Sequence, residues 1–211
     1  MPDILIVDDH LVIITGLKTV INNFLPHCKT DIAHDGDSAF EKIKHNNYDL
    51  IIMDISLPNT DSFNMVGNIL AIKPKSKILM YSMNPEETFA KRYLKMGAIG
   101  YLSKDASLNE IKNAIEGALK NNRYLSPALT ERLAMEVLND DNPENEFDKL
   151  SPREFEIVRH LVHGESVSEI SGKLNLHTST IGTHKARIFQ KLHCHNMVQL
   201  VTMARVHNII L

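Results

Sequence analysis

Five polar residues in the first half of the chain each stand at the end of a short apolar run. Asp8 and Asp9 follow Ile4-Leu5-Ile6-Val7, Asp54 follows Leu50-Ile51-Ile52-Met53, Ser82 follows Ile78-Leu79-Met80-Tyr81, and Lys104 follows Gly100-Tyr101-Leu102-Ser103. Apolar runs of this kind suit strands buried on both faces of a parallel sheet. In an open α/β sheet, ligands bind just beyond the carboxyl ends of the strands. The three carboxylates, the hydroxyl and the ammonium are therefore expected along one working edge. Carboxylates held close together repel one another and favour a hard divalent cation such as Mg2+. Lys104 and Ser82 supply donors for phosphoryl oxygens. With Asp54 as nucleophile, these are the parts needed for phosphoryl transfer to a carboxylate. No Gly-rich loop follows the first run, where Asp9-His10-Leu11-Val12 stands instead, and this argues against a dinucleotide or P-loop site.

Helical patterns separate the runs. Leu11, Ile14, Leu17, Val20, Ile21 and Phe24 share one face at helical spacing. A weaker strand is expected over 30–33, a helix over 37–44, the central strand over 49–53 and a helix over 63–72 ended by Lys73-Pro74. A strand over 77–81, a helix over 86–96 stopped by Gly97, a strand over 100–104 and a helix over 108–119 complete the series. Five strand–helix units in strict alternation predict a parallel sheet covered on both faces, a flavodoxin-like (βα)5 domain over 1–121.

Ser126-Pro127 opens a further helix that runs to about Leu138. The stretch Asn139-Asp140-Asp141-Asn142-Pro143-Glu144-Asn145-Glu146 is polar, acidic and broken by proline, so 122–146 reads as a linker helix plus a flexible linker. Structure restarts at Leu150-Ser151-Pro152-Arg153-Glu154, where Ser151 and Glu154 have capping-box spacing. Four short helices are expected within 147–211, near 151–164, 166–174, 178–192 and 196–207, with Thr178 or Ser179 capping the third. The second and third form a helix-turn-helix across Asn175-Leu176-His177. A domain of this size and make-up has little core to spare, too little to house much of an enzyme.

Charge separates the two parts. Up to Glu146 there are 15 Lys and Arg against 21 Asp and Glu, a net of −6; from Phe147 onward there are 8 against 5, a net of +3. From Ile170 to the end no acidic residue occurs. Only the tail is thus suited to a polyanion. On the third tail helix, Ile181, Ile188 and Leu192 have the spacing of an inward face, and Thr183, Lys185 and Arg187 lie outward. Thr180, Thr183, Lys185, Arg187 and Lys191 are the candidate contacts to double-stranded DNA. Val198, Leu200, Val201 and Met203 on the last helix serve either the core or a dimer contact. Two cysteines and an opening Met1-Pro2-Asp3 without a signal peptide suggest the cytoplasm, and no run is long enough to span a membrane. His193-Cys194-His195 does not make a zinc site, because adjacent residues do not readily chelate one tetrahedral ion.

Residues 1 to about 121 resemble the receiver domain of bacterial response regulators. The resemblance rests on Asp8-Asp9, Asp54 with Leu57-Pro58 after it, Ser82, Tyr101 and Lys104, each at its expected strand end. It implies phosphorylation of Asp54 by a partner sensor histidine kinase. It also implies Mg2+ on Asp9, Asp54 and the backbone carbonyl of Ser56, with Asp8 in support, and Ser82 and Tyr101 moving together as a switch pair. Residues 149–207 resemble the LuxR-type DNA-binding domain of the NarL/FixJ regulators, through Leu150-Ser151-Pro152-Arg153-Glu154, Ile157-Val158, Gly164, Glu169-Ile170, Leu174, Thr180-Ile181, His184, Ile188 and Lys191-Leu192. Together they imply a DNA-binding transcription regulator, not an enzyme, that forms a homodimer when phosphorylated.

Two departures from the family pattern stand out. Asp61-Ser62 replaces the usual Asp-Gly, and a position favouring Gly often needs positive φ. Gly182 stands where the family has Lys, and the positions commonly turned toward bases carry Gly182, Thr183 and Ala186. A regulated enzyme would need a catalytic motif after the linker, and no G-x-S-x-G or H-E-x-x-H occurs. An RNA- or protein-binding tail fits the Ser151–Glu154 and Thr180–His184 patterns less well than DNA does.

Overall fold

The computed structural model describes residues 1–58, 60–138, 146–174, 176–207 and 209. It divides into two compact units, residues 1–138 and 139–211. The acidic linker expected over 139–146 lies outside the described residues, except Glu146.

In the first unit, strands β1 (Asp3–Val7), β2 (Lys29–Ala33), β3 (Leu50–Met53), β4 (Ile78–Ser82) and β5 (Gly100–Ser103) alternate with helices α1 (Leu11–Phe24), α2 (Gly36–His45), α3 (Ser62–Ile72), α4 (Glu86–Met96) and α5 (Leu108–Leu119). All strand pairs are parallel and the sheet order is β2-β1-β3-β4-β5. The order reverses at β1. The chain leaves it toward β2, then crosses back to enter β3 on its other side, and this divergence opens the crevice that binds ligands in such sheets.

Pleating divides the strand residues between two faces. Ile4, Ile6, Leu50, Ile52, Leu79, Tyr81 and Leu102 pack with Ile14, Leu17 and Ile21 of α1 and with Ile111, Ala114 and Ile115 of α5. The alternate residues Leu5, Ile51 and Met80 are also fully buried. Burial on both faces is why these strands read as unbroken apolar runs. Leu11 departs from the expected apolar face. It is 69% exposed, with Val12 beside it 83% exposed. Leu11 opens α1, one turn ahead of Ile14, the first buried residue of the helix.

Asp61 caps α3, its side chain accepting from the Asn64 N–H at 3.0 Å. Ser62 is the first helical residue, and among the described non-glycine residues only Asn121 and His193 have positive φ. The position therefore makes no demand for glycine. Instead the buried Ser62 hydroxyl pairs with Tyr93 OH at 2.8 Å.

Helix α6 (Pro127–Leu138) groups with the first unit. Tyr124 bridges to Gly100 beside β5, Leu129 is buried, and Ser126 both caps α6 (Leu129 N to Oγ, 3.0 Å) and donates to Glu86 Oε2 at 2.6 Å.

The described part of the second unit begins with a 3-10 turn (Glu146–Lys149), followed by α7 (Pro152–Val162), α8 (Val167–Leu174), α9 (Thr178–Lys191) and α10 (Met197–Val206). The expected capping box is formed, Ser151 and Glu154 satisfying each other's backbone N–H. Phe147 and Phe155 meet edge to face, with centroids 6.5 Å apart, in a core that includes Ile157, Val158, Ile170, Ile181, Ile188, Leu192 and Leu200. The N-cap of α9 is His177, not Thr178 or Ser179, and its side chain makes no capping bond. The turn from α8 is closed instead by Leu176, whose N–H donates to Ser171 O at 3.0 Å and whose carbonyl accepts from the Ser171 hydroxyl. On α10, Leu200 and Ala204 are core, whereas Val198 and Val206 are exposed.

Candidate functional site: an acidic sheet edge and an exposed helix face

Register brings the carboxylates together. Val7 lies opposite Met53, and the Asp54 N–H donates to Val7 O at 2.9 Å, so Asp8 and Asp54 leave neighbouring strands at the same level. Both are almost wholly buried. Lys104 extends from the end of β5 and its Nζ lies 2.9 Å from Asp54 Oδ2 and 2.7 Å from Asp8 Oδ2. Burial alone would lower the lysine pKa, but the hydrogen bond it donates to Asp54 and the charge attraction of Asp54 and Asp8 outweigh it and hold the ammonium above its ordinary value. The other Asp54 oxygen, Oδ1, accepts from the Ile55 N–H at 2.7 Å.

One residue at this edge was not expected. His10 Nδ1 lies 2.9 Å from Asp9 Oδ1 and 3.1 Å from Asp8 Oδ1. Asp8, Asp9, His10 and Asp54 each offer a ligand atom, all within 4.8 Å of one another. The contact of Asp8 Oδ2 with Lys104 is an ion pair whose angles make no hydrogen bond, so this buried oxygen keeps accepting capacity. Three carboxylates and a spare acceptor fit a hard divalent cation.

Ser82 and Tyr101 do not touch directly in any described contact. Asn84 joins them, a residue that carried no signal beyond its place two positions after Ser82. Its backbone N–H and its Nδ2 donate to Ser82 Oγ at 3.2 and 3.0 Å, and its carbonyl accepts from Tyr101 OH at 2.8 Å. Nδ2 also reaches Ser56 Oγ at 3.2 Å. Tyr101 is fully buried, beside Tyr93, on which Phe63 stacks at 4.3 Å.

In the tail, Ile181, Ile188 and Leu192 point inward as expected. Thr183 and Arg187 are exposed, Thr180 and Lys185 half-exposed, and Gly182 opens onto space with nothing within 4 Å of a Cβ built there. Lys185 Nζ lies over the Phe189 ring at 5.6 Å, and Thr183 Oγ1 donates back to Ser179 O at 3.0 Å. Lys191 differs. Its Nζ is 2.6 Å from Glu154 Oε2, the same oxygen that accepts from the Ser151 N–H at 2.7 Å. Lys191 therefore ties the end of α9 to the start of α7.

A five-stranded parallel sheet with an acidic edge and a lysine, followed by a helix-turn-helix unit, defines a receiver with a DNA-binding output. Residues 4–116 match the response regulator receiver domain, and residues 148–204 match the bacterial regulatory proteins of the luxR family. The chain belongs to the response regulators of the NarL/FixJ type: it is a transcription regulator of a two-component system, not an enzyme. It is 29% identical over 209 residues to the response regulator UvrY of Escherichia coli (strain K12), covering 99% of this chain and 96% of that one. It is 32% identical over 210 residues to the Fimbriae Z protein of Salmonella typhimurium (strain LT2), covering 98% of each. The fold is shared with RcsB from Salmonella enterica serovar Typhimurium, solved bound to the promoter rprA in the presence of the phosphomimetic BeF3-, with a TM-score of 0.69, 21% identity, and 96% and 98% of the two chains covered. Among the described residues no helix is long and apolar enough to cross a membrane.

Proposed function

We propose that Asp54 accepts a phosphoryl group from a sensor histidine kinase in the cytoplasm, and that this acylphosphate controls how the tail engages duplex DNA as a homodimer. The carrying observation is the placement of Asp54 between Lys104, 2.9 Å away, and the Asp8–Asp9 pair. An Asp54 carboxylate oxygen attacks phosphorus while the P–N bond to the kinase imidazole breaks and its electron pair returns to the ring. Lys104 and Ser82 hold the equatorial oxygens. Asp9, Asp54 and the Ser56 carbonyl, supported by Asp8, would hold Mg2+, which neutralises the charge shared by the carboxylates and the incoming anion. Once Ser82 turns to the phosphoryl group, its bonds to Asn84 are released, and the Tyr101 hydroxyl bound to the same residue follows.

In the tail, Thr180, Thr183, Lys185, Arg187 and Lys191 are the proposed contacts. Arg187 and Lys185 are the cations open to phosphate or base edges, and Lys191 serves chiefly its ion pair. The solved complex of RcsB with promoter DNA supports this reading by likeness of fold.

Incubation with a small phosphodonor and Mg2+ should add one acid-stable, base-labile phosphate per chain. Uptake by Asp54→Asn at the wild-type rate would refute the assignment. Titration of labelled duplex with the unmodified and the phosphorylated protein tests the second half, and no binding by either would remove DNA as the partner.

A further inference from the structure

We propose that His10 is a ligand of the acidic edge and biases it toward first-row transition ions relative to Mg2+. The inference rests on the reading of that edge as a cation site and adds a nitrogen donor to it.

The donor spacing matches that of a shared ion. In octahedral coordination at about 2.1 Å, neighbouring donors lie about 3.0 Å apart and opposite donors about 4.2 Å apart. His10 Nδ1 stands 2.9 Å from Asp9 Oδ1 and 3.1 Å from Asp8 Oδ1, the neighbour spacing for both pairs. With Asp54 the set lies within 4.8 Å, against about 4.2 Å for opposite donors, so a bound ion would draw its members slightly together. The backbone holds the ring in place: His10 N donates to Asp8 Oδ1 at 2.8 Å, and the His10 carbonyl accepts from Ile14 N at 3.1 Å as the N-cap of α1. The imidazole makes no capping bond that it would have to give up. Without an ion, the two carboxylate oxygens favour the tautomer that carries its hydrogen on Nδ1. A divalent ion takes the place of that hydrogen, which moves to Nε2, and the lone pair of Nδ1 then faces the metal.

An all-oxygen site suits Mg2+, and one imidazole nitrogen shifts preference along the series from Mn2+ toward Co2+ and Ni2+. The side chain of His10 is 61% exposed, so its removal leaves the fold intact.

The test uses the full chain. Mn2+ is bound, its displacement by excess Mg2+ identifies the population at this edge, and pulsed electron paramagnetic resonance looks for nitrogen coupled to that Mn2+. The expected result is a nitrogen signal in the wild type that vanishes in His10→Ala while Mn2+ still binds. In calorimetric titrations of the same variant, Co2+ affinity should fall about tenfold or more and Mg2+ affinity by a smaller factor, so the preference ratio drops. Mg2+-displaceable Mn2+ with no nitrogen coupling, or coupling that persists in His10→Ala, overturns the role of His10 and leaves the cation site standing. Absence of any Mg2+-displaceable Mn2+ in the wild type overturns both.

Discussion

Lys104 Nζ lies 2.9 Å from Asp54 Oδ2, from a side chain only 4% exposed. It is thus the structural counter-ion of the unmodified edge before it meets any phosphoryl group, and removing it strands buried carboxylates.

Lys104→Ala should therefore lower stability, by about 3 kcal/mol, the low end for breaking a buried pair. Mg2+ should restore part of the loss by binding only the folded state. Thermal melts of both proteins with and without Mg2+ check this: the Mg2+-induced rise should be larger in the variant. Equal rises would mean that lysine and cation do not serve the same carboxylates. The DNA-binding response to phosphodonor should also be lost.

Tyr101→Phe keeps the ring against Tyr93 and removes the hydroxyl that donates to Asn84 O at 2.8 Å. Stability should fall by about 1 kcal/mol. Phosphate uptake should stay at the wild-type rate while the phosphorylation-linked gain in DNA affinity shrinks. A variant that slows uptake as much as it reduces the gain would place Tyr101 in the chemistry instead of the response to it.

The strand-end residues were legible because the apolar runs end abruptly, and parallel strands in one register bring their ends to one edge. His10 was not, although it adjoins Asp8-Asp9 in sequence, since its role depends on how the loop turns the ring. Asn84 was hidden for the same reason. The Glu154–Lys191 bond joins residues 37 apart, and neither local pattern names the other. Ser62 is a misfit only if the usual Gly marks a positive-φ backbone, and the Asp61 cap, with Ser62 as first helical residue, removes that requirement. The exposure of Leu11 shows the limit of periodicity, which gives direction around a helix axis but not whether a sheet extends that far.

Lys185→Ala and Arg187→Ala should each reduce the slope of log affinity against log salt by about 1. Lys191→Ala should change the slope less and lower stability instead, by about 1 kcal/mol or less given its 40% exposure. Fluorescence titrations over a salt series, with melts of each variant, separate the two effects. A full unit lost for Lys191→Ala with no drop in stability would return that residue to the DNA surface.

Glu154 gives the tail an acid-sensitive joint. Burial raises its pKa, but the hydrogen bond from Lys191 and those from Ser151 prevail and hold it below the ordinary value. A depressed folded-state value adds stability that is fully present above the unfolded value of about 4.3 and is lost as pH falls through the lower, folded value. Glu154→Gln should flatten that part of the stability–pH curve, measured by denaturant unfolding from pH 6 to about pH 3. An unchanged curve would assign the acid response to other carboxylates, among them Asp31, whose bonds from Lys42 and Tyr48 overcome its own burial in the same direction.

The sheet order also has a consequence for the chain during its synthesis. Asp54 is in place once β3 has joined β1, but its ammonium arrives only with β5, the outermost strand at that end and the last of the five to be made. A growing chain that has emerged only as far as β4 holds three carboxylates at its edge with no Lys104 among them. On the proposed reading, with Asp54 as acceptor and Lys104 holding the phosphoryl group, a truncated product lacking the fifth strand should be a poor acceptor, which would tie competence for signalling to completion of the domain.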